Sequence, residues 1–150
     1  MPTIRTEIEI AASPETVRSV FLNWPSYPSW NNNFRLTPPK GKEAKDLQKK
    51  EYIKVEIVDA MKFSPYITKN DADGFSWMGF GYYIFNGEHQ FSWTKSEKTP
   101  GGTTLVQKED FSGLLSFLVA PGWSQGKKTA ANFSAFNEAV KKEAERLGGS

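Results

Sequence analysis

The sequence contains no cysteine and only one histidine, His89. Disulfide bonds, thiolate metal ligands and cysteine nucleophiles are therefore excluded, and a single imidazole cannot supply the nitrogen ligands of a zinc site. The acidic turn at 70–74 lacks the downstream glutamate of a calcium loop, so we expect no metal. We also expect no cofactor, because the chain has neither a phosphate-binding loop nor the three-glycine pattern of a dinucleotide-binding turn.

Long apolar runs are absent as well. A membrane-spanning helix needs roughly 20 apolar residues, whereas the longest apolar patch extends only from Leu114 to Pro121. Residues 1–10 alternate polar and apolar side chains and do not follow the basic-then-apolar pattern of a secretory signal. We therefore expect a soluble cytoplasmic protein with no membrane span.

Neither sign of charge dominates the chain, which has 19 basic residues, 17 acidic residues and a net charge of +2. The lysines between residues 40 and 54 alternate with Glu43, Asp46 and Glu51. This pattern favours a solvated loop over a nucleic-acid patch. We expect no nucleic-acid partner, and a monomer or weak dimer.

Aromatic residues, in contrast, are abundant: 11 Phe, 5 Trp and 5 Tyr in 150 residues. A chain of this length forms one hydrophobic core, and these rings offer more apolar surface than a small core needs. The sequence predicts a single domain over residues 1–147, followed by a flexible Gly-Gly-Ser tail at 148–150.

Two hydrophobic periods divide the domain and predict an α+β fold. A period of two predicts seven antiparallel strands, at residues 3–11, 34–38, 52–59, 63–69, 75–80, 87–97 and 103–112. Ser13-Pro14-Glu15 is typical of a helix start and predicts a short helix, and the Pro- and Asn-rich segment 23–33 predicts turns or one further helical turn. A helical period returns at 124–147 and predicts a long amphipathic helix.

This order of elements is that of the helix-grip fold, and local segments resemble the START-like, or SRPBCC, superfamily. Residues 8–17 (IEIAASPETV) and 27–31 (YPSWN) are similar to its N-terminal signature. Residues 87–91 and 102–115 resemble the final hairpin of the polyketide cyclase/dehydrase-like branch, and 133–140 its terminal helix. The resemblance implies a seven-stranded curved antiparallel sheet wrapped around a long C-terminal helix, with two short helices after the first strand.

The resemblance also implies a cavity between sheet and helix, which in different relatives takes sterols, lipids, polyketides, plant hormones or quinones. We therefore expect an apolar or aromatic small-molecule ligand, lipid, polyketide or hormone-like. The superfamily contains carriers, receptors, chaperone cofactors and a minority of enzymes, with no catalytic set common to all. Two alternatives stay open: a polyketide cyclase or dehydratase, and a protein-binding cofactor that uses the sheet edge.

His89 and Glu109 are the candidate catalytic residues for the enzyme alternative. Alternation places them on the apolar faces of two neighbouring strands of the final hairpin, within about one cross-strand step of each other. Such a pair suits proton transfer in the cyclisation or dehydration of a polyketide-like substrate. It also suits a purely structural hydrogen bond, because buried polar groups need partners whatever the function.

The candidate ligand contacts are side chains expected to face the cavity: Trp30, Trp77, Phe91, Trp93, Gln107, Phe111, Phe133, Phe136, Asn137 and Val140. An apolar helix stripe is core in most proteins, so several of these could be packing alone. Asn137 lies within the apolar stripe of the last helix and must bond either to the sheet or to a ligand. Trp77, with Tyr82, Tyr83 and Phe85 after it, either forms an aromatic wall or fills the concave sheet.

Overall fold

The computed structural model describes residues 3–81, 85–113, 116, 122 and 124–148. Within these ranges the chain forms eight antiparallel strands, two α-helices and two 3₁₀ helices. The strands are β1 (Thr3–Ile10), β2 (Phe34–Thr37), β3 (Lys54–Ile57), β4 (Met61–Phe63), β5 (Tyr66–Asp71), β6 (Gly74–Gly81), β7 (Phe85–Lys95) and β8 (Thr103–Ser112). The helices are α1 (Pro14–Leu22) and α2 (Ser124–Gly148), and the 3₁₀ helices are Trp24–Ser29 and Ala44–Asp46.

The strands form two sheets, in the orders β1-β8-β7-β6-β5 and β2-β3-β4, where the sequence predicts a single seven-stranded sheet. The strand predicted at 63–69 is divided between β4 and β5 because Pro65 has no N–H to donate to a ladder. The sheets still meet beside this break. The Ile67 N–H donates to the Glu51 carbonyl at 2.9 Å, and the Ile53 N–H donates to the Pro65 carbonyl at 3.0 Å.

α1 begins at the start signal seen in the sequence. The Ser13 hydroxyl accepts a hydrogen bond from the Thr16 N–H at 3.2 Å, and Pro14 occupies the first helical turn. The helix buries Val17 and Phe21 against the sheet. Two 3₁₀ helices follow, so three short helices replace the two that were predicted, and the third lies inside the predicted loop at 40–50.

α2 lies across the concave face of the five-stranded sheet. It covers the predicted segment 124–147 and ends one residue later, at Gly148, while residues 149 and 150 lie outside the described part. Its inward stripe buries Phe136, Val140 and Ala144. No helix in the described ranges has both the length and the apolar composition needed to cross a membrane.

The C-terminal half of α2 is anchored on the end of β1. Lys141 Nζ donates to the Glu9 carbonyl at 2.8 Å and contacts the Glu145 carboxylate at 2.7 Å. The same carboxylate accepts a hydrogen bond from the Ala11 N–H at 2.8 Å. Because these bonds join side chains of the helix to the backbone of the strand, they set how far along β1 the helix lies.

Aromatic rings fill the space between α1, α2 and the sheet. Phe21 of α1 lies 4.6 Å from Phe91 and 5.2 Å from Trp93, measured between ring centroids. Phe136 of α2 lies 5.8 Å from Phe91. These four side chains are at most 2% exposed. The aromatic excess of the sequence is therefore used, in large part, as core.

The segment at 40–50 is not the purely solvated loop that its charges indicate. Ala44 and Leu47 are 5% and 2% exposed and join the main core, so the prediction is wrong at these two positions. The Asn70 side-chain amide donates to both of their carbonyl oxygens at 3.0 Å. Two apolar residues, at the start of a one-turn helix and directly after its end, reach the core while the charged residues around them stay in water.

The burial of Leu47 predicts a large loss of stability on truncation. We expect Leu47→Ala to lower the free energy of unfolding by about 2–5 kcal/mol, the usual range for a buried leucine. The matched control is Leu147→Ala, because Leu147 is 55% exposed, and there we expect a change below about 0.5 kcal/mol. Urea unfolding followed by tryptophan fluorescence measures both values, and equally small losses would contradict this placement of Leu47.

The side chain of Glu9 links β1 to the β7–β8 hairpin and predicts acid sensitivity. Hydrogen bonds from the Ser96 and Thr104 hydroxyls hold the pKa of the Glu9 carboxyl below its usual 4.5. A lowered folded-state pKa stabilises the fold above the unfolded-state value, and this stability is lost as the pH falls through the folded-state value. Glu9→Gln should therefore lower the melting temperature at neutral pH and flatten its decline in acid.

The matched control is Glu7→Gln on the same strand, because Glu7 is exposed and pairs only with Arg5 two residues away. Melting curves recorded by circular dichroism from neutral pH to about one unit below 4.5 compare the two variants. If Glu9→Gln and Glu7→Gln show the same pH dependence as the unsubstituted protein, the hydrogen bonds from Ser96 and Thr104 to Glu9 do not contribute to the pH dependence of stability.

Candidate functional site

β7 and β8 place His89 directly opposite Glu109 on the inner face of the sheet. His89 Nδ1 lies 3.5 Å from Glu109 Oε1, and the two side chains are 4% and 19% exposed. The structure thus brings together the two residues that the sequence predicts as a pair. Of the two side chains, only that of Glu109 has a substantial exposed fraction.

The hydrogen bonds of Gln107 determine which nitrogen of His89 carries a proton. Gln107 Nε2 donates to the Phe133 carbonyl at 3.1 Å and to Asn137 Oδ1 at 2.7 Å. A carbonyl can only accept, so this fixes the orientation of the amide. Gln107 Oε1 then faces His89 Nε2 at 2.9 Å, and Nε2 must be the donor. In the neutral ring, Nδ1 beside Glu109 is consequently a free acceptor.

Asn137 is bonded to the sheet, one of the two options that the sequence leaves open. Its Oδ1 accepts from Gln107, and its Nδ2 donates to Thr6 Oγ1 at 2.8 Å. The Thr6 hydroxyl in turn donates to the Gln107 carbonyl at 3.1 Å. Gln107 and Asn137 are 0% and 2% exposed. They hold the His89 ring in place from the side of the helix.

This polar chain lies between the main aromatic core and a second, smaller apolar cluster. The second cluster consists of Ile4, Phe111 and Phe133, with Ala130 packed against it. The Phe133 ring lies 4.6 Å from the His89 ring, and Ile4 is the strand partner of Glu109. The His89–Glu109 pair therefore borders both the smaller cluster and the main core, whose Phe91 ring lies 4.7 Å from that of His89.

Five of the predicted ligand contacts pack as core. Trp77, Phe91, Trp93, Phe136 and Val140 are at most 2% exposed and belong to the main cluster. They fill the interior in this structure. That they contact a ligand stays a prediction.

Trp30 lies away from the His89–Glu109 pair. Its ring is 4.8 Å from that of Tyr27 and 5.9 Å from that of Phe136. It lines a surface cleft of about 440 Å³ between the first 3₁₀ helix and α2, together with Lys142 and Arg146. Among the other candidate residues, the structure thus brings Trp30 to Phe136 of α2.

Only Trp77 of the predicted aromatic wall is placed by the structure. Its ring lies 4.9 Å from that of His89, its partner on β7. Tyr82 and Tyr83 lie outside the described residues, as does the side chain of Phe85. In the described ranges, no three histidine, aspartate or glutamate side chains come together as a metal site.

A pair of facing glycines is the part of the site that sequence reasoning missed. Gly79 and Gly87 are cross-strand partners, two residues beyond the Trp77–His89 pair. A Cβ on Gly87 would lie 2.3 Å from Glu109 Oε2, and one on Gly79 would lie 3.2 Å from the Phe63 ring. Both glycines occupy inward positions of alternating strands, which is the signal that could have revealed them.

The inner face becomes accessible at this glycine pair. Gly79 and Phe63 are partly exposed, and the Glu109 side chain is 19% exposed. These three residues come from β6, β4 and β8.

No protein-family model matches the chain, and no curated protein sequence matches it at a significant level. Solved structures, in contrast, match the chain over most of its length. A hypothetical protein of Helicobacter pylori matches with a TM-score of 0.75 at 10% identity, over 95% of this chain and 87% of that one. A START superfamily protein of Mycobacterium smegmatis matches with a TM-score of 0.64 at 18% identity, over 97% and 98% of the two chains.

The Zhui aromatase/cyclase of a Streptomyces species also matches, with a TM-score of 0.66 at 14% identity, over 96% of this chain and 93% of that one. Identities this low bear on the fold alone. The chain has a START-like fold, of the kind also found in polyketide aromatase/cyclases.

Proposed function

We propose that this protein binds an apolar or aromatic small molecule, of a lipid, polyketide or hormone-like class, at the end of the interior where Glu109 reaches solvent. One observation carries the proposal. Glu109 is a partly exposed carboxylate on the inner face, between His89 and the apolar Ile4–Phe111–Phe133 cluster, and no hydrogen bond to its side chain is found among the described residues. A ligand that donates a hydrogen bond can pair with such a carboxylate.

The apolar cluster beside Glu109 would supply the driving force for binding; its Ile4, Phe111 and Phe133 side chains are at most 3% exposed, so they must repack to admit a ligand. Phe111 and Phe133 are packed with Ile4 and bordered by the half-buried Ala130. Two fused rings that bury about 250 Å² of apolar surface would gain about 6 kcal/mol. Together with one hydrogen bond to Glu109, this corresponds to an affinity in the micromolar range. The START-like fold supports the proposal, because it places a concave sheet opposite a helix.

The second candidate function is acid-base catalysis by His89 and Glu109, as in a cyclase or dehydratase. The observation that favours it is the fixed tautomer of His89, whose Nε2–H is held by Gln107 while Nδ1 faces the Glu109 carboxylate at 3.5 Å. The pair can take a proton from a carbon next to a substrate carbonyl. It can then return that proton to a departing hydroxyl, which leaves as water, so that the pair ends in its starting state.

The binding proposal predicts that filling the end of the interior blocks an apolar dye. The dye Nile red is neutral and brightens in apolar surroundings. Ala130→Trp should weaken its binding at least about tenfold, or about 1.4 kcal/mol, because Ala130 borders the Phe111 cluster. Ala131→Trp is the matched control, since Ala131 is the exposed neighbour on the same helix.

Fluorescence titration under native conditions measures both affinities, and circular dichroism confirms that each variant is folded. Saturable binding to the unsubstituted protein, lost only in Ala130→Trp, supports the site. Binding that arises only when the protein is partly denatured would contradict the proposal, as would equal affinities in the two tryptophan variants.

Catalysis by His89 and Glu109 predicts variants that lose activity but keep their affinity for the dye. The unsubstituted protein should accelerate deuterium uptake at the methylene carbon of benzoylacetone, followed by proton NMR. Glu109→Gln and His89→Gln should reduce this acceleration by about 10²–10⁴-fold while Nile red affinity changes less than about tenfold. Glu88→Gln is the matched control, because Glu88 precedes His89 on β7 and lies on the other face.

Three outcomes of this experiment differ in meaning. Loss of exchange with retained dye binding identifies catalysis. No acceleration by the unsubstituted protein, or the same rate in all variants, rules the pair out as a catalyst of proton abstraction and leaves the binding proposal standing. A large fall in melting temperature in both variants, with normal dye binding, identifies the pair as structural.

A further inference from the structure

The surface cleft at Trp30 is large enough to hold a small molecule. Its volume of about 440 Å³ lies within the roughly 300–1,000 Å³ of small-molecule sites. Its wall combines an aromatic ring, two amides and charged groups of α2: Trp30, Asn31, Asn32, Lys142, Glu143 and Arg146. Neither His89 nor Glu109 lines it. The cleft is therefore distinct from the site at Glu109.

Asn31 contributes an unpaired hydrogen-bond donor to this wall. Its Oδ1 accepts hydrogen bonds from the Asn33 N–H at 3.0 Å and from the Phe34 N–H at 3.1 Å, and this fixes the orientation of the amide. Its Nδ2 is buried and has no acceptor among the described residues, and Asn31 as a whole is 5% exposed. A buried donor without a partner is costly, so an acceptor oxygen that enters beside it recovers this cost.

The charged groups of the cleft favour an anion. Glu143 is already paired, because Arg146 Nε lies 3.2 Å from one of its carboxylate oxygens and a second guanidinium nitrogen contacts the other. Lys142 is exposed, and the ion pairs described on α2 are Glu143–Arg146 and Lys141–Glu145. Its ammonium is thus left without a carboxylate partner among the described residues. A negatively charged ligand gains an ion pair there without displacing one.

The ring of Trp30 supplies a flat apolar wall of fixed orientation. Its Nε1 donates to Ser26 Oγ at 2.9 Å. Its ring packs on those of Tyr27 and Phe136, at centroid distances of 4.8 and 5.9 Å. The side chain is nevertheless only half-buried, and it lines the cleft. A planar aromatic ligand can pack on its remaining surface.

We propose that this cleft is a second ligand site, for an aryl carboxylate whose ring packs on Trp30 and whose carboxylate pairs with Asn31 Nδ2 and Lys142. The site does not depend on the proposed function. The two sites select opposite chemistry, since Glu109 repels an anion and Lys142 attracts one. Because Nδ2 is covered in the structure, the ligand oxygen reaches it after a small movement of the cleft wall.

The first experiment compares 2-naphthoate with 2-acetylnaphthalene, two flat probes of similar shape of which only the naphthoate is charged. We expect the unsubstituted protein to bind naphthoate at least about tenfold more tightly, because hydrogen bonds to charged acceptors are the stronger ones. Added salt should reduce this preference, since Lys142 is exposed. Isothermal titration calorimetry measures both affinities. Equal affinities, or no saturable binding of naphthoate, would overturn the proposal.

Asn31→Asp tests the amide with little change of shape. The new side chain can still accept from the N–H groups of residues 33 and 34, and Arg35 Nη1, 3.4 Å from Oδ1, can pair with its charge. We expect naphthoate binding to weaken at least about tenfold, because the donor is lost. Asn32→Asp is the matched control, since it adds the same charge to the same cleft and keeps the Asn31 amide. Its loss should stay below about threefold.

Equal losses in the two aspartate variants would show that charge alone acts and that Asn31 does not contact the ligand, which contradicts the proposal. So would an unchanged affinity in Asn31→Asp, because a water molecule would then be the partner of the amide.

Lys142→Gln tests the cation. It should weaken naphthoate binding about threefold, the size of an exposed ion pair, and remove the salt dependence. Lys128→Gln is the matched control, because Lys128 is exposed on the same helix and does not line the cleft. The same salt dependence in both variants would contradict the placement of the carboxylate at Lys142.

The last comparison separates the two sites. Ala139→Trp fills the cleft and should weaken naphthoate binding at least about tenfold, whereas Ala135→Trp, at an exposed position of α2, should not. Both Asn31→Asp and Ala139→Trp should keep Nile red affinity within about twofold. If Ala130→Trp blocks naphthoate and Ala139→Trp does not, the probe binds near Glu109 and the second site is wrong.

The two proposals therefore fail separately. Absence of Nile red binding with selective naphthoate binding contradicts the proposed function alone. Saturable Nile red binding without selective naphthoate binding contradicts the second site alone. Circular dichroism confirms that each variant is folded. If Asn31→Asp does not fold, the paired comparisons at Lys142 and Ala139 decide.

Discussion

The side chain of Gln107 is the contact on which the placement of the helix and of the site depends. Its fully buried amide bonds to His89 on β7 and to both the Phe133 carbonyl and the Asn137 side chain on α2. Asn137 extends the chain to Thr6 on β1. Three strands and the long helix thus share one set of directional bonds inside an apolar interior, where an unpaired polar group is costly. A shift of the helix along the sheet would break several of these bonds together.

The same bonds divide the interior into two regions with different properties. On one side, rings from α1, α2 and the sheet pack on one another and exclude water. On the other side, Glu109 and Phe63 pack closely over Gly87 and Gly79, and Glu109 reaches solvent. Along β7 and β8, one part of the inner face is therefore closely packed and the other part, at Glu109, is accessible to solvent. The rigid region supports the histidine, and the open region leaves its second nitrogen available.

A START-like fold does not by itself specify what is bound, because one fold supports different sites. In this chain the distinguishing features are local. A tautomer is fixed by a glutamine, a carboxylate has no described donor, and two glycines admit the side chains of Glu109 and Phe63. All three lie on the neighbouring strands β6, β7 and β8. They concern hydrogen-bond donors and close packing, and these are properties that distinguish one apolar ligand from another.

The sequence alone determined the features that depend on neighbouring residues. Alternation and the 100–102 turn predicted the span of β8 and the inward faces of the final hairpin, because a period of two and a tight turn together set the register. His89 therefore faces Glu109 as predicted. Only the tertiary structure decided which distant surfaces meet: that Asn137 bonds to the sheet, that Leu47 is buried, that Trp30 lies elsewhere, and that two glycines face each other. Local patterns report the period of a segment, whereas these contacts depend on how long-range packing shares a limited interior among all the segments.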